Sequence, residues 1–246
     1  MKTIIKANLL VIFLLIGLAA NAQRHFYYDY VKFRPKVTFN VEMGVSFSNL
    51  SGYPLDTKSK AGFVAGMSVD WQFAKNWYVD FGVMFQEKGA KFDQEYTDYN
   101  GYNLRSPNST LDAMYIQIPI HFGYKYQISK MMDISFHAGP YIAYGVGGQM
   151  KLGDTVEKYG LDWSYIESKP IGEFINDSFA GFKRYADTFS DAYFKKLDYG
   201  LGLGVLFEYN NIGLGVNYDF GLTNISEVEA NNVKNRAGYV TLGYRF

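Results

Sequence analysis

Residues 197–222 read LDYGLGLGVLFEYNNIGLGVNYDFGL, two strands joined by a turn. Leu197, Tyr199, Leu201, Leu203, Val205, Phe207 and Tyr209 share one parity, while Asp198, Gly200, Gly202, Gly204 and Glu208 share the other. After Asn210-Asn211 the pattern restarts: Ile212, Leu214, Val216, Tyr218, Phe220 and Leu222 alternate with Gly213, Gly215, Asp219 and Gly221. A period of two is the signature of a strand whose faces meet different surroundings. One face is uncharged and apolar, and the other holds glycine and acids.

The same alternation recurs along the chain. It runs through Val37–Phe47, Ala61–Phe73, Trp77–Phe85, Met114–Tyr126, Met132–Tyr144 and Val240–Phe246, and only Pro140 departs from the apolar set. Short connections (74–76, 127–131, 210–211) alternate with long ones (about 48–60, 87–112, 145–196 and 223–238). Outer-membrane barrels have this arrangement, with brief periplasmic turns and longer extracellular loops. The fold class expected is all-β, an 8-stranded antiparallel transmembrane β-barrel over residues 36–246. A soluble cup would turn its apolar face inward. Three features point the apolar face outward instead. Glycine crowds the polar face, which suits a narrow interior. Aromatics gather at the short-turn ends (Trp71, Phe73, Trp77, Tyr124, Tyr126, Phe207, Tyr209), as an interfacial girdle does. Val240, Leu242, Tyr244 and Phe246 then form a terminal aromatic strand resembling the signal read by the barrel assembly machinery, with Tyr244 and Phe246 as its expected contacts.

Composition removes other classes. The 246 residues include no cysteine, so disulfide scaffolds, thiolate metal sites and thiol catalysis are excluded. Lys+Arg and Asp+Glu number 24 each, which leaves no electrostatic footprint for nucleic acid. Lys2 and Lys6 precede the apolar run Leu9–Ala20, and Ala20-Asn21-Ala22 is a small-x-small site. The expectation is a signal peptide over 1–22, a periplasmic segment over 23–35, and residence in the outer membrane after export.

Several segments together resemble the PorT-like family of bacterial outer-membrane β-barrels. They are YIQIPIHFGYKY (115–126), AGPYIAYGVGG (138–148), DYGLGLGVLFEY (198–209), YDFGLTNI (218–225) and GYVTLGYRF (238–246). The resemblance implies an 8-stranded barrel in the cell envelope, and through the founding member it implies type IX-like protein secretion. Pro119, inside the fourth strand, belongs to the family motif and is expected to produce a bulge or kink.

The inward face carries Glu42, Asp70, Asp80, His121, Lys125, Asp133, His137, Asp198, Glu208, Asp219 and Arg245. These charges read as an ion network filling the lumen. A five-residue loop 127–131 would set Lys125 opposite Asp133 and His121 opposite His137. The histidine pair is a candidate metal site, weighed against two histidines hydrogen-bonded in a packed interior. Asp70 would face Asp80, with Arg245 as the cation between them. No cofactor and no catalytic residue are expected, although an envelope enzyme and a surface ligand- or metal-binding barrel are the alternatives. The stretch 149–193 is far longer than an ordinary loop and rich in aromatics and acids. It reads either as a surface for a protein partner or as a lid on its own barrel. The expected partners are outer-membrane lipid, the assembly machinery at the last strand, and a protein at this loop.

Overall fold

Alternating side chains make a two-faced ribbon, and eight such ribbons close on themselves. In the computed structural model, the described residues are 34–97, 102–160, 166–171, 173, 185–190, 193–228 and 231–246. The expected leader and most of the 23–35 segment lie outside them. The strands are β1 (Lys36–Ser51), β2 (Thr57–Gln72), β3 (Trp77–Thr97), β4 (Asn103–Gln127), β5 (Met132–Gly147), β6 (Gln149–Lys151), β7 (Thr155–Tyr159), β8 (Ile166–Pro170), β9 (Tyr185–Asp187), β10 (Leu197–Tyr209), β11 (Ile212–Gly221) and β12 (Lys234–Arg245).

The barrel is the antiparallel ring β1-β2-β3-β4-β5-β10-β11-β12, closed by β12 against β1 from Asn40↔Arg245 to Ser51↔Lys234. A closed ring leaves no strand edge for lipid to meet. Burial is inverted relative to a soluble protein. Met43, Met67, Ile120, Phe136, Leu203 and Leu242 stand about half exposed, while Gln86, Lys88, Gln117 and Asp198 are buried. At the short-turn end Trp77 packs on Phe122 and Tyr124 at 5.0 and 4.9 Å, and Tyr244 on Phe246 at 4.9 Å.

Glycine makes room for the filling. A side chain started at Gly123 would meet the Tyr78 ring at 2.2 Å, at Gly200 the Tyr141 ring at 2.7 Å, and at Gly204 His137 Nε2 at 2.4 Å. Tyr78, Tyr141 and His137 each have a glycine as a socket.

The connections differ from the sequence-based expectation. The β1–β2 loop is only 52–56, because β1 and β2 run on beyond their apolar stretches. β3 and β4 likewise continue to Thr97 and from Asn103, so most of 87–112 is a strand pair projecting outward. The β4–β5 connection is Ile128–Met131, closed by Ile128 N donating to Met132 O at 2.9 Å. That turn moves the register by two residues. Lys125 therefore faces Ser135 and not Asp133, His137 faces Gly123 and not His121, and Asp133 faces Gln127. A shift of two preserves parity, so inward residues stay inward while their partners change.

Pro119 gives no bulge. The β3–β4 and β4–β5 registers are the same on both sides of it. Pairing lapses at Gly82-Val83 against Ile118-Pro119, and at Ile120-His121 against Gly139-Pro140. The prolines remove ladder bonds without displacing the strands. Register shifts lie elsewhere, at Ser59/Val64, Phe92/Gln94 and Met114/Tyr115.

Candidate functional site

The lumen is filled in three tiers. Nearest the short turns, Arg245 from β12 reaches Asp70 Oδ2 on β2 and Glu208 Oε1 on β10, each at 2.5 Å, and donates to Asn40 Oδ1 at 3.1 Å. Lys125 Nζ takes the other Glu208 oxygen at 2.8 Å and lies 5.7 Å from the Tyr78 ring centre. Asp70 is directly opposite Asp80. Two carboxylates at one rung need a cation, and Arg245 supplies it to Asp70 alone, while Asp80 Oδ1 is buried without a hydrogen-bond partner. Glu42 and Arg245 line a neighbouring cavity of about 70 Å³. Asp133 lines the periplasmic mouth, a recess of about 200 Å³ that it shares with Lys36 and Lys75.

The middle tier holds the histidines. Their rings stack 5.1 Å apart at 18°. His121 Nδ1 is 3.8 Å from Asp80 Oδ2, while His137 Nε2 is 2.9 Å from Asn217 Oδ1 and His137 Nδ1 is 3.5 Å from Tyr78 Oη. His121 Nε2 is buried without a hydrogen-bond partner. The two rings approach diagonally, not across a shared rung. Among the described residues no group of three or more His, Asp or Glu is placed to hold a metal.

The outer tier is built around Lys88, which sequence reasoning missed. Its side chain is 0 % exposed. Nζ donates to Gln117 Oε1 at 2.9 Å and lies 3.6 Å from Asp219 Oδ2, 3.8 Å from Asp198 Oδ2 and 4.6 Å from the Tyr141 ring centre. Gln117 Nε2 donates to Asp219 at 3.0 Å, and Asn235 Nδ2 to Asp198 at 2.9 Å. A buried ammonium is tolerable only with such partners. The available signal was parity. Lys88 continues the inward series through Asp80 and Gln86, but the outward Glu87 breaks the apolar count that marks the strand.

A cap seals the outer mouth. Phe189 meets Tyr115 edge-on at 5.3 Å, and Leu50, Phe92, Leu111, Phe194, Ile225 and Val233 form one apolar cluster with it. Part of 149–193 is thus folded on the barrel through β6–β9. Above the cap Arg105 pairs with Asp93 at 2.5 Å and approaches Glu157 at 3.7 Å. The Asn108 backbone N–H and then the Arg105 guanidinium hold the Asp93 carboxyl below the usual carboxylate range.

A family model described as the outer membrane protein beta-barrel domain matches residues 20–227. The chain belongs to that family. It is an outer-membrane barrel, and its outward apolar face meets lipid. Comparison with curated protein sequences finds no match. Among solved structures it is similar to Ail, the attachment invasion locus protein of Yersinia pestis, at 13% identity and TM-score 0.36, covering 86% of this chain and 99% of that one. It is similar also to Neisserial surface protein A, at 14% identity and TM-score 0.41, covering 84% and 95%. The outer membrane protease OmpT from Escherichia coli aligns at 9% identity and TM-score 0.40, covering 86% and 95%.

Proposed function

We propose that this outer-membrane barrel is a structural and interaction component of the cell envelope that works through its outer cap, in a type IX-like secretion apparatus. The observation that carries the reading is the filled lumen. Among the described residues Lys88, clamped between Asp198 and Asp219 with Phe189 above it, fills the lumen, which supports a role for the exposed surfaces over one in transport. Outside the membrane, Tyr102, Ile166, Tyr185 and Tyr193 remain exposed, and such residues favour partner contacts. The secretion assignment rests on the PorT-like motifs. The reading is non-catalytic, and Tyr244 and Phe246 are its contacts for the assembly machinery. The test is the secreted-protein profile of a strain lacking the gene. Loss of many secreted proteins is expected, and an unchanged profile overturns the secretion assignment.

A second reading, a metal held at the histidine pair, is favoured by the unpartnered His121 Nε2. Metal analysis of the purified protein and of His121→Ala tests it. Stoichiometric metal lost in the variant supports it, and metal retained by the variant or absent from both rejects it.

A further inference from the structure

The barrel wall opens near its outer rim between β5 and its neighbours. Tyr144 opposite Leu197 is the outermost pair between β5 and β10, and beyond it, among the described residues, Gly145 N alone bonds across, to Lys196 O at 2.7 Å. On its other flank β5 slips against β4, so Met114 meets Gly147, Tyr115 meets Gly145, and Val146 is the bulged residue. The result is an open notch of about 490 Å³, with Phe189 and Gly145 behind it and Lys151, Lys196, Asp112 and Asp187 around it. A side chain started at Gly147 would meet nothing within 4 Å.

The notch lies where the apolar belt ends. Ile142, Tyr144, Leu197 and Tyr199 face outward beneath it and Val146 at its edge, each about half exposed. At the level of Met114 the surface turns charged, with Lys60 joining Glu87 at 2.5 Å and Asp112 at 2.6 Å. Lys60 thus already answers Asp112, and among the described residues the rim keeps two exposed lysines, Lys151 and Lys196, against the acid Asp187.

We propose that this notch binds the phosphate-bearing headgroup of an outer-leaflet lipid. Lys151 and Lys196 hold the phosphate, and the acyl chains lie along Tyr144, Val146 and Leu197. Cationic side chains directly above a lipid-facing apolar wall suit an anionic amphiphile. A soluble anion would use only the lysines, and a neutral lipid only the wall. The inference rests on the outer-membrane location and is independent of the secretion assignment.

The experiment is native mass spectrometry of the detergent-purified barrel titrated with bis-phosphorylated lipid A. Wild type is compared with Lys151→Gln, Lys196→Gln, the double variant, and Lys158→Gln as a control at a different surface. Affinity falls about fivefold for each notch lysine removed and is unchanged in the control. Dephosphorylated lipid A binds wild type as weakly as the phosphorylated lipid binds the double variant. Inorganic phosphate does not compete. Equal binding by wild type and the double variant overturns the proposal, and so does displacement by inorganic phosphate, which would mark a soluble-anion site. If the double variant fails to fold, the comparison of the two lipids on wild type decides alone.

Discussion

Arg245 Nη2 lies 2.5 Å from Asp70 Oδ2, tying the closing strand β12 to β2 across the interposed β1. The contact spans the seam of the ring. Its other amine holds Glu208 on β10, so one guanidinium links three walls. Replacing Arg245 with Ala leaves buried Asp70 without its cation and Glu208 with Lys125 alone, a change that costs about 3–5 kcal/mol. Urea unfolding of the refolded barrel in micelles should show a lower midpoint, and Asp70→Asn added to Arg245→Ala should recover part of the loss. Equal midpoints for wild type and Arg245→Ala would remove the clamp from the account.

Lys88 is the plug. Wild type is expected to be silent in planar bilayers, since an eight-stranded interior is filled by side chains. Lys88→Ala leaves Asp198 and Asp219 unpaired in a widened lumen and should give cation-selective openings. Lys88→Met fills most of the volume without the charge and should conduct less. Silence in both variants would show that other residues close the lumen.

Glycine sockets give a sharp contrast. Gly123→Ala drives a methyl into the Tyr78 ring, where the nearest atom is 2.2 Å away. Overpacking of this kind costs about 1–3 kcal/mol. Gly147→Ala meets nothing and should be neutral. Heat-modified gel migration of the two variants reads the difference, and equal loss or equal tolerance contradicts the socket view.

Acid should loosen the projecting β3–β4 hairpin. The folded-state value for Asp93 is depressed, so its contribution is present above the ordinary carboxylate value and fades as pH falls through the lowered one. Cleavage of the hairpin by an acid-active protease is therefore expected to rise below about pH 4. Asp93→Asn, which cannot form the ion pair with Arg105, should show that susceptibility at higher pH. A flat profile in wild type would argue that the hairpin is held by other contacts.

Much of this barrel was legible because two-residue alternation records which face meets lipid. Leu201 against Gly202 says so without any knowledge of neighbours. What needed neighbours was not legible. The β4–β5 register depended on whether Gln127 joins the turn or the strand, a choice settled by the Ile128–Met132 bond. Lys88 was hidden by Glu87, whose outward carboxylate is explained only by Lys60 on β2. A lid over 149–193 was one of two readings its aromatics allowed, but its strands were hidden because β6 to β9 are three to five residues each, too short for a period to show. Arg245, by contrast, was readable as the cation for Asp70, because inward parity and the shortage of inward bases leave few candidates.

The lapse in pairing around Pro119 and Pro140 has a kinetic side. Amide hydrogens in the middle of a membrane wall usually exchange with deuterium most slowly, while the strand ends fray. Here the missing ladder pairs sit in the middle of the lipid-facing stretch of β4, at Ile120-His121 against Gly139-Pro140, on the wall that carries the histidines. Exchange should therefore be faster at His121 and Gly139 than at Tyr124 or Phe136, nearer the turn, and the wall would open first from its centre.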